Sequence, residues 1–493
     1  MFGVTILMDV TSNSPDFQHY NHILAVVRAH AQARHTPIIL IGGAVRDALL
    51  GKPLHDLDIA VQGNAVGLAR GVADALNGAF YIMDAERGTA RVILPEIILD
   101  FSVCRGATWV EDIFARDFTM NAIGYDLDSA QLFDPAQGMQ DLQARRVRSV
   151  SDHAISDDPV RALRAVRQAH QLQFEIEPAT LALIQSITAR TISQSSAERL
   201  RDELLAICEL PRAAQAIQQL DTLGILRHIV PEIEAMRDCT QSLPHRFTVL
   251  QHTYWVLQRL DEVIAAGAAA FDAAQDDVPA LAAQLHRQLA QLTPNTTRIA
   301  LLRLATLLHD CGKPATRGVD ADGRIRFFDH ERVGAMLAYE RTAALKLSRD
   351  EIDQVNRTIR NHMRLNQFSR MPGTPTLRAL YRYVRAVGDC APELTLFALA
   401  DCYGKRGPNT SPDDCAASQR MATHLLALYY QRFDASIAPA PLLTGKDLLA
   451  LGMSPGPTFG KLLGQLREAQ MVGELSSTEQ ALAWVTGQTH APR

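Results

Sequence analysis

The sequence predicts a multidomain α+β protein, with an α/β domain in the first third of the chain and helices in the rest. Up to about Val150, β-rich runs alternate with amphipathic stretches; the β-rich runs are PIILIGG, LDIAVQG and ARVILPEIILDFSV. From Asp157 onward the apolar residues recur at a helical period almost to the C-terminus. With 493 residues, the chain is long enough for about two to four domains.

Composition and charge restrict the classes of function. The net charge of −5 gives no general basic surface, so any contact with nucleic acid must come from local basic patches. The seven cysteines are scattered singly without a CxxC pair, which argues against a zinc ribbon or a disulfide framework. The start MFGVTILMDVTSNSPDF does not resemble a signal peptide, and no later stretch is apolar enough to span a bilayer. We therefore expect a cytoplasmic protein without membrane partners.

Two acidic residues, Asp56 and Asp58, lie two positions apart in the run HDLDIAV, which we predict to be a strand. Both carboxylates therefore point to the same face of the sheet. Carboxylates placed in this way can hold Mg²⁺, and such ions polarise a phosphoryl oxygen and activate an attacking hydroxyl. The pair is a candidate for nucleotidyl transfer, although a DxD motif alone can also be a solvated strand end.

A turn with two glycines, Gly42 and Gly43, precedes the acidic pair where a predicted strand ends and a helix begins. Glycine lets the backbone approach a ligand closely, and a helix start favours negative charge, so this turn can accept a triphosphate. Arg46 adds a guanidinium suited to phosphate. The turn and the acidic pair together favour nucleotidyl transfer.

Six motifs follow one another in the first part of the chain: GGAVRD, the DxD, ARDFTMNA, DPAQGMQDL, DDPVRALRAVR and SAERLRDEL. In this order and spacing they resemble the motifs of the class II tRNA nucleotidyltransferase and bacterial poly(A) polymerase family. The resemblance covers roughly the first 200 residues. It implies a polymerase-β-like nucleotidyltransferase head with Asp56 and Asp58 as catalytic Mg²⁺ ligands, followed by a helical neck that selects the incoming nucleotide.

The resemblance also implies a base-reading pair, Asp158 and Arg161. Cytosine and adenine both present an exocyclic amine beside an unprotonated ring nitrogen. A carboxylate and a guanidinium can pair with that pattern, whereas guanine and uracil present the reverse. The predicted nucleotide contacts are Gly42, Gly43, Arg46, Asp47, Arg116, Asp117, Asn121, Asp158, Arg161, Arg164 and Arg167. For the arginines at helical spacing, a solvated basic face is the alternative.

Two positions depart from the family pattern. Ala115 stands where the motif usually has a first arginine, and Asp157 stands where glutamate is common before the base-reading aspartate. The first change could weaken a phosphate or RNA contact, and the second could reposition a neighbour. Neither removes a named catalytic group. Asp100, on the predicted strand ILDFSV, is a further candidate carboxylate near the metal.

A second set of metal-ligand residues lies in the helical part. The predicted helix RIALLRLATLLHDCGKP carries the adjacent residues His309 and Asp310; His252, His330, His362 and Asp401 lie in other predicted helices. Imidazoles and carboxylates together suit a first-row transition metal or Mg²⁺. The order of these residues resembles the HD phosphohydrolase superfamily, with all its usual ligand positions filled. The resemblance implies a site for Mn²⁺, Ni²⁺ or Mg²⁺ and makes phosphoester hydrolysis possible; the alternative is a helical scaffold that only holds tRNA.

We expect four parts along the chain: a nucleotidyltransferase head at 20–150, a neck at 151–220, an HD body at 221–408 and a helical tail at 409–493. The tail segment from PLLTGKDLL onward resembles the end of many class II CCA-adding enzymes with an HD body. Lys446 and Lys461 could meet RNA phosphates there. A cap that packs on the body is the alternative.

The expected function is the addition of CCA to the 3′ end of tRNA from CTP and ATP without a nucleic-acid template. A CC-adding or A-adding enzyme of the same family remains open. A poly(A) polymerase is less expected, because the C-terminal sequence ALAWVTGQTHAPR is near neutral. The alternatives from other classes are a metal-dependent HD phosphohydrolase and a non-catalytic tRNA-binding protein. The oligomeric state and the choice between Met1 and Met8 as the start are left open.

Overall fold

The computed structural model describes residues 15–187, 192, 194–243, 246–275, 277–405, 412–435 and 438–489. The described chain up to Ser196, together with Thr222–Ile225, forms one compact unit. Ala197–Asp221 and the residues from Leu226 onward form the second. The boundary between the units therefore lies inside the segment predicted as the neck.

A mixed β-sheet organises the first unit. Its strands are β1 (Ile38–Ile41), β2 (Asp56–Val61), β3 (Ala79–Asp84), β4 (Thr89–Ile93), β5 (Ile98–Val103), β6 (Gly124–Asp126) and β7 (Gln131–Phe133). They form one seven-stranded sheet in the order β3-β4-β5-β2-β1-β6-β7. Only β2 and β5 run parallel; the other neighbours are antiparallel. The β-rich runs predicted from the sequence are thus confirmed.

Helices complete the first unit. They are α1 (Asn21–Ala33), α2 (Gly43–Leu49), α3 (Ala65–Leu76), α4 (Trp109–Phe114), α5 (Gly138–Gln143), α6 (Ala154–Asp157), α7 (Val160–Leu172) and α8 (Pro178–Gln185). A short parallel pair, β8 (Arg146–Val147) and β9 (Glu175–Ile176), lies beside α7. The side chain of Asn64 accepts from Gly67 N and so caps the start of α3. This helix packs on one face of β3, β4 and β5.

On β2, the strand that carries the acidic pair, apolar residues and carboxylates point to opposite faces of the sheet. In β2 the exposed Asp56 and the half-buried Asp58 alternate with the buried Leu57 and Ile59. Side chains of successive strand residues point to opposite faces, so the apolar residues enter the core and both carboxylates share the other face. The two-residue spacing in the sequence predicted this arrangement.

The second unit is mainly helical. Its helices are α9 (Ala197–Glu209), α10 (Ala213–Thr222, whose last residue groups with the first unit), α11 (Leu226–Ile229), α12 (Glu232–Arg237), α13 (Val249–Ala266), α14 (Val278–Leu289), α15 (Arg298–Leu308), α16 (His330–Ala344), α17 (Arg349–Asn361), α18 (Arg364–Phe368), α19 (Leu377–Val387), α20 (Ala391–Gly404), α21 (Pro412–Leu428), α22 (Gly445–Ala450), α23 (Pro457–Val472) and α24 (Thr478–Thr489). A large apolar core joins α13, α14, α19, α20 and α21, and a small separate core around Leu448 and Leu466 joins α22, α23 and α24.

Three expectations need correction. The helical part contains a β-hairpin, β10 (Arg317–Val319) with β11 (Ile325–Phe327), because its strands are too short to give a period. His309 and His362 directly follow α15 and α17 rather than lying inside helices. Cys402 and Cys415 form a disulfide. The spacing of the cysteines in the sequence did not indicate this pair, because the two residues lie on different helices, α20 and α21, which pack together.

No helix among the described residues is long and apolar enough to cross a membrane.

Candidate active site and metal centre

The acidic pair lies where β2 meets the turn between β1 and α2. Asp58 is opposite Ile41 on β1 and opposite Asp100 on β5. Gly42 follows Ile41 with φ +87°, and a Cβ atom on it would lie 2.5 Å from Asp58 Oδ2. Only glycine combines this backbone conformation with so close an approach. The Gly-Gly turn therefore packs directly against the carboxylate.

The electrostatics of the pair suit a divalent cation. Burial and the neighbouring Asp56 raise the pKa of Asp58 to about 6. Burial, with Asp100 next, also raises the pKa of Asp56. Like-charged carboxylates held together in this way are stabilised when a cation binds between them. The residues present thus fit a Mg²⁺ site, while Arg91 neutralises Asp100 through two hydrogen bonds of 2.7 Å.

A buried polar network extends from Arg46. Its guanidinium donates to both oxygens of Asp47 at 2.8 Å and to Asn121 Oδ1 at 2.6 Å. Asn121 Nδ2 donates in turn to Asp117 Oδ1 and to Gln168 Oε1. Arg46 is only 7% exposed. In this structure Arg46 therefore joins α2 to the segment around Asn121, and its role as a phosphate contact remains a prediction.

Arg161 joins helix α7 to the ARDF motif. Its guanidinium donates to the carbonyl oxygens of Arg116 at 2.8 Å and Ala115 at 2.9 Å. Its Nε lies 3.7 Å from Asp158 Oδ2. Arg116 itself is paired with the buried Asp112 at 2.8 Å. The position that departs from the family pattern, Ala115, thus contributes its backbone carbonyl to this contact.

The arginines of α7 share one face, as predicted. Arg161, Arg164 and Arg167 are half-buried while the residues between them are buried. Arg164 forms an ion pair of 3.1 Å with Asp117. Although burial opposes it, this ion pair lowers the pKa of Asp117, and the hydrogen bond from Asn121 adds to the effect. The predicted nucleotide contacts thus fall into two networks, one with Arg46, Asp47, Asn121, Asp117 and Arg164, and the other with Arg116, Asp158 and Arg161.

The second unit brings the predicted HD residues together. The carboxylate of Asp310 lies in the centre, and the Nε2 atoms of His252, His309, His330 and His362 lie 3.8, 3.0, 3.7 and 3.9 Å from its nearest oxygen. His252 Nε2 is also 3.3 Å from Asp401 Oδ1. Among the residues that the structure describes, two groups have ligand atoms within 4.8 Å of one another: His252, His309 and Asp310 form one, and Asp310, His330 and His362 form the other.

Backbone carbonyls orient the imidazoles. The Nδ1 atoms of His309, His330 and His362 are 2.8, 2.8 and 2.6 Å from the carbonyl oxygens of Thr306, Phe327 and Ile359. Each Nδ1–H can therefore donate outward, and each Nε2 is turned toward Asp310. Within the described part of the chain, the buried Nε2 atoms of His330 and His362 and the Oδ1 atom of Asp310 have no hydrogen-bond partner. Asp310 Oδ2, in contrast, forms an ion pair with Lys313 Nζ at 2.7 Å and lies 3.0 Å from His309 Nε2. Buried polar atoms without partners indicate a ligand, so this donor set fits a metal ion.

The charge states of the cluster also suit a metal. Burial, and His309 after it, lowers the pKa of His362 to about 3, and burial lowers the pKa of His252. Although burial opposes it, His309 and Lys313 hold the pKa of Asp310 well below its usual range. Neutral imidazoles and an ionised carboxylate are the ligand forms that metals require. His309 differs, because Asp310 raises its pKa against the effect of burial.

Several residues of both sites were not predicted. Asp112 and Gln168 complete the network in the first unit, and Asn366 donates to Asp401 at 2.8 Å in the second. The four-residue spacing of Asp112 and Arg116 is the one sequence signal that could have shown a partner. The contacts of Gln168 and Asn366 join residues 47 and 35 positions apart, which spacing alone does not indicate.

Known protein families match most of the chain. Residues 38–148 match the poly A polymerase head domain, residues 173–237 match the probable RNA and SrmB-binding site of polymerase A, and residues 278–403 match the HD domain. These matches agree with the two sites that the structure shows.

Curated relatives extend the similarity over nearly the whole length. An A-adding tRNA nucleotidyltransferase of Deinococcus radiodurans is 34% identical over 452 residues, covering 90% of this chain and 94% of that protein. A CC-adding tRNA nucleotidyltransferase of Synechocystis sp. is 30% identical, covering 90% and 92%. A multifunctional CCA protein of Xanthomonas campestris is 29% identical, covering 88% and 97%.

Solved structures share the fold. A CCA-adding enzyme in complex with CTP superposes with a TM-score of 0.61 at 19% identity, covering 97% of this chain and 96% of that chain. The Thermotoga maritima CCA-adding enzyme complexed with tRNA gives a TM-score of 0.58 at 20% identity, covering 97% of both chains. From its motifs, its paired carboxylates, its HD cluster and its relatives, the chain belongs to the tRNA nucleotidyltransferase family of enzymes.

Proposed function

We propose that this enzyme adds CCA to the 3′ end of tRNA from CTP and ATP without a nucleic-acid template. The observation that carries the proposal is the pair of carboxylates, Asp56 and Asp58, on the open face of β2 beside the Gly42–Gly43 turn. Relatives that add A, CC or CCA to tRNA are similar to it over about nine-tenths of its length.

The reaction is an in-line substitution at phosphorus. The 3′ hydroxyl oxygen of the RNA forms a bond to the α-phosphorus, and the bond from that phosphorus to the oxygen bridging the β-phosphorus breaks, releasing pyrophosphate. Asp56 and Asp58 would hold Mg²⁺, which when bound stabilises the developing charge on the phosphate oxygens. Arg116, Arg164 and Arg167 would contact the triphosphate. The Gly42–Gly43 turn fixes the position of Asp58.

Base selection is assigned to Asp158 and Arg161. The guanidinium of Arg161 is oriented by the carbonyl oxygens of Ala115 and Arg116, so few rotamers remain open to it. Asp158 lies at the start of α7 beside it, with an Oδ2-to-Nε distance of 3.7 Å. An acceptor and a donor fixed side by side can pair with cytosine and adenine and reject guanine and uracil.

Addition of A alone is the second candidate. It is favoured by the 34% identity to the A-adding enzyme of Deinococcus radiodurans. An A-adding enzyme would use the same carboxylates and the same base-reading pair but would act only on tRNA that already ends in CC.

Product lengths distinguish these activities. Purified protein with Mg²⁺ is incubated with tRNA transcripts that end at the discriminator base, at C or at CC, with CTP, ATP or both. Full CCA on the shortest transcript supports the proposal. Extension of the CC transcript alone with ATP indicates an A-adding enzyme, and arrest at CC indicates a CC-adding enzyme. No extension of any transcript contradicts all three.

The HD cluster supports a separate candidate activity, metal-dependent phosphoester hydrolysis. Residues of the cluster line a cavity of about 280 Å³, and the basic residues Lys313, Arg370 and Lys405 line the same cavity. The residues that would hold Mn²⁺, Ni²⁺ or Mg²⁺ are His252, His309, Asp310, His330, His362 and Asp401. A metal bound there would supply an activated water for attack on phosphorus.

Metal content and hydrolysis test this candidate together. We expect the wild type to bind Mn²⁺ or Ni²⁺ in equilibrium dialysis and His309→Ala to lose that binding. The control is His286→Ala, at an exposed histidine of α14. Metal binding without hydrolysis of bis-p-nitrophenyl phosphate would indicate that the metal is structural and not catalytic. Unchanged metal binding by His309→Ala would contradict the assignment of the site.

A further inference from the structure

The face of the sheet that carries the carboxylates continues outward to the edge strand β3. Asp58 is opposite Asp100 on β5, Asp100 is opposite Arg91 on β4, and Arg91 is opposite Tyr81 on β3. Directly opposite residues on neighbouring strands point to the same face. Tyr81 therefore lies on the same face as Asp58, at the far end of one cross-strand row.

A second row runs parallel to the first. It leads from Asp56 through Ile98 to Ile93 on β4. Tyr81 is opposite Arg91, which lies two positions before Ile93 on β4. Ile93 is therefore a diagonal neighbour of Tyr81 on the same face. The two rows place an aromatic and an aliphatic side chain beside each other, outward from the carboxylates.

Along β4 and β5 the opposite face of the sheet is buried. Ala90, Val92, Leu99 and Phe101 point the other way and are buried on the side of the sheet against which α3 packs. Tyr81, in contrast, is 53% exposed and Ile93 is 41% exposed. Large apolar side chains that stay exposed beside a candidate active site indicate a binding surface.

The distance between this surface and the carboxylates suits the RNA strand that reacts there. Neighbouring strands lie about 4.8 Å apart, so Tyr81, three strands from Asp58, lies roughly 14 Å from it along the sheet. About four stacked nucleotides with a rise of ~3.4 Å span that distance. Because Arg91 neutralises Asp100, the row between the two ends carries no net charge that would repel the phosphates.

We propose that Tyr81 and Ile93 form a platform on which a base about four nucleotides from the 3′ end of the acceptor RNA stacks while the 3′ hydroxyl reacts at Asp56 and Asp58. Stacking on an aromatic ring accepts any base, as an enzyme that meets many tRNAs requires. Tyr81 and Ile93 are then positioning residues, which act on the RNA and not on the incoming nucleotide. The inference rests on the proposed function, because it takes the tRNA 3′ end as the ligand.

Steady-state kinetics with a tRNA transcript that lacks CCA test the platform. We expect Tyr81→Ala to raise the KM for the RNA about tenfold, the loss expected for one base–aromatic contact. The kcat and the KM values for CTP and ATP should stay unchanged. Tyr81→Phe should restore the wild-type KM, because it keeps the ring.

A matched control is available on the same strand. Ile82 is 52% exposed, nearly as much as Tyr81, but it is opposite Ala90 and belongs to the other face. Ile82→Ala should therefore bind RNA like the wild type. A wild-type KM in Tyr81→Ala, or an equal effect of Ile82→Ala, would overturn the proposal.

Direct binding separates this proposal from the proposed function. Fluorescence anisotropy with a 5′-labelled tRNA in the absence of nucleotides measures affinity without catalysis, and Tyr81→Ala should weaken binding while Ile82→Ala does not. If the wild type binds tRNA but extends no transcript, the proposed activity fails while the platform is still tested. If Tyr81→Ala binds as tightly as the wild type, the platform fails whatever the activity.

Discussion

At Gly42 the conformation of the backbone and the position of Asp58 depend on each other. A Cβ atom there would overlap the Asp58 carboxylate, and the φ of +87° disfavours any L side chain. We expect Gly42→Ala to displace Asp58 and to lower kcat for tRNA extension about 100-fold, the effect of a displacement of roughly 1 Å in an active site. Single-turnover extension of a CC-ended transcript measures the change.

Gly51 provides the matched control for this substitution. It also has a positive φ, +63°, but a Cβ atom there meets nothing within 4 Å. Gly51→Ala should therefore add only the strain of a positive φ, about 1 kcal/mol, and keep its activity. Equal losses of activity in both variants would show that strain alone, and not contact with Asp58, explains the effect.

Substitutions of Asp158 and of its neighbour Asp157 distinguish a role in base selection from a general effect of negative charge. The side chain of Asp157 is 61% exposed, whereas that of Asp158 is 20% exposed and faces Arg161. Asp158→Ala should raise the KM for CTP and ATP at least tenfold and increase misincorporation of UTP or GTP, because the base loses its paired acceptor. Steady-state kinetics at varied nucleotide concentration measure the KM values, and sequencing of the extended ends measures misincorporation. Asp157→Ala should remain accurate; accurate addition by Asp158→Ala would exclude it as a base reader.

At the scale of elements, a buried ion pair joins α15 to α20. Arg298 Nε donates to Glu393 Oε1 at 2.5 Å, and Glu393 is 1% exposed. Glu393→Ala would leave a buried guanidinium without its main partner, so we expect a loss of about 3–5 kcal/mol in the stability of the second unit. Asp389 also pairs with Arg298, but its side chain is 53% exposed. Asp389→Ala should cost about 1 kcal/mol or less. Calorimetry measures both; similar losses would contradict the ranking.

The sequence predicted elements with a regular period and missed those without one. The residues from Asp56 to Ile59 alternate between polar and apolar, so the position of Asp56 and Asp58 on one face was predictable. The arginines of α7 recur at helical spacing, and their shared face was predictable for the same reason. The hairpin β10–β11 has strands of only three residues each, too short for a period to appear. The row from Asp58 to Tyr81 depends on strand order, which local patterns do not contain.

At the scale of the whole molecule, the two candidate sites belong to different units. The residues assigned to nucleotidyl transfer all precede Ser196, and those of the HD cluster all follow Leu226. We therefore expect His309→Ala to extend tRNA at the wild-type rate and Asp58→Ala to bind metal at the HD cluster as the wild type does. Parallel extension assays and dialysis measure this. Loss of tRNA extension in a folded His309→Ala variant would show that the sites depend on each other.

The central claim is that Asp56 and Asp58 carry out nucleotidyl transfer to the 3′ end of tRNA. The most direct measurement is single-turnover extension of a CC-ended tRNA with ATP and Mg²⁺, comparing the wild type with Asp56→Asn and Asp58→Asn. These substitutions keep the size of the side chain and remove its charge. The account predicts that the wild type adds one adenosine and that both variants, melting at the wild-type temperature, lose at least about 1,000-fold in rate. Extension by either variant at the wild-type rate would contradict it.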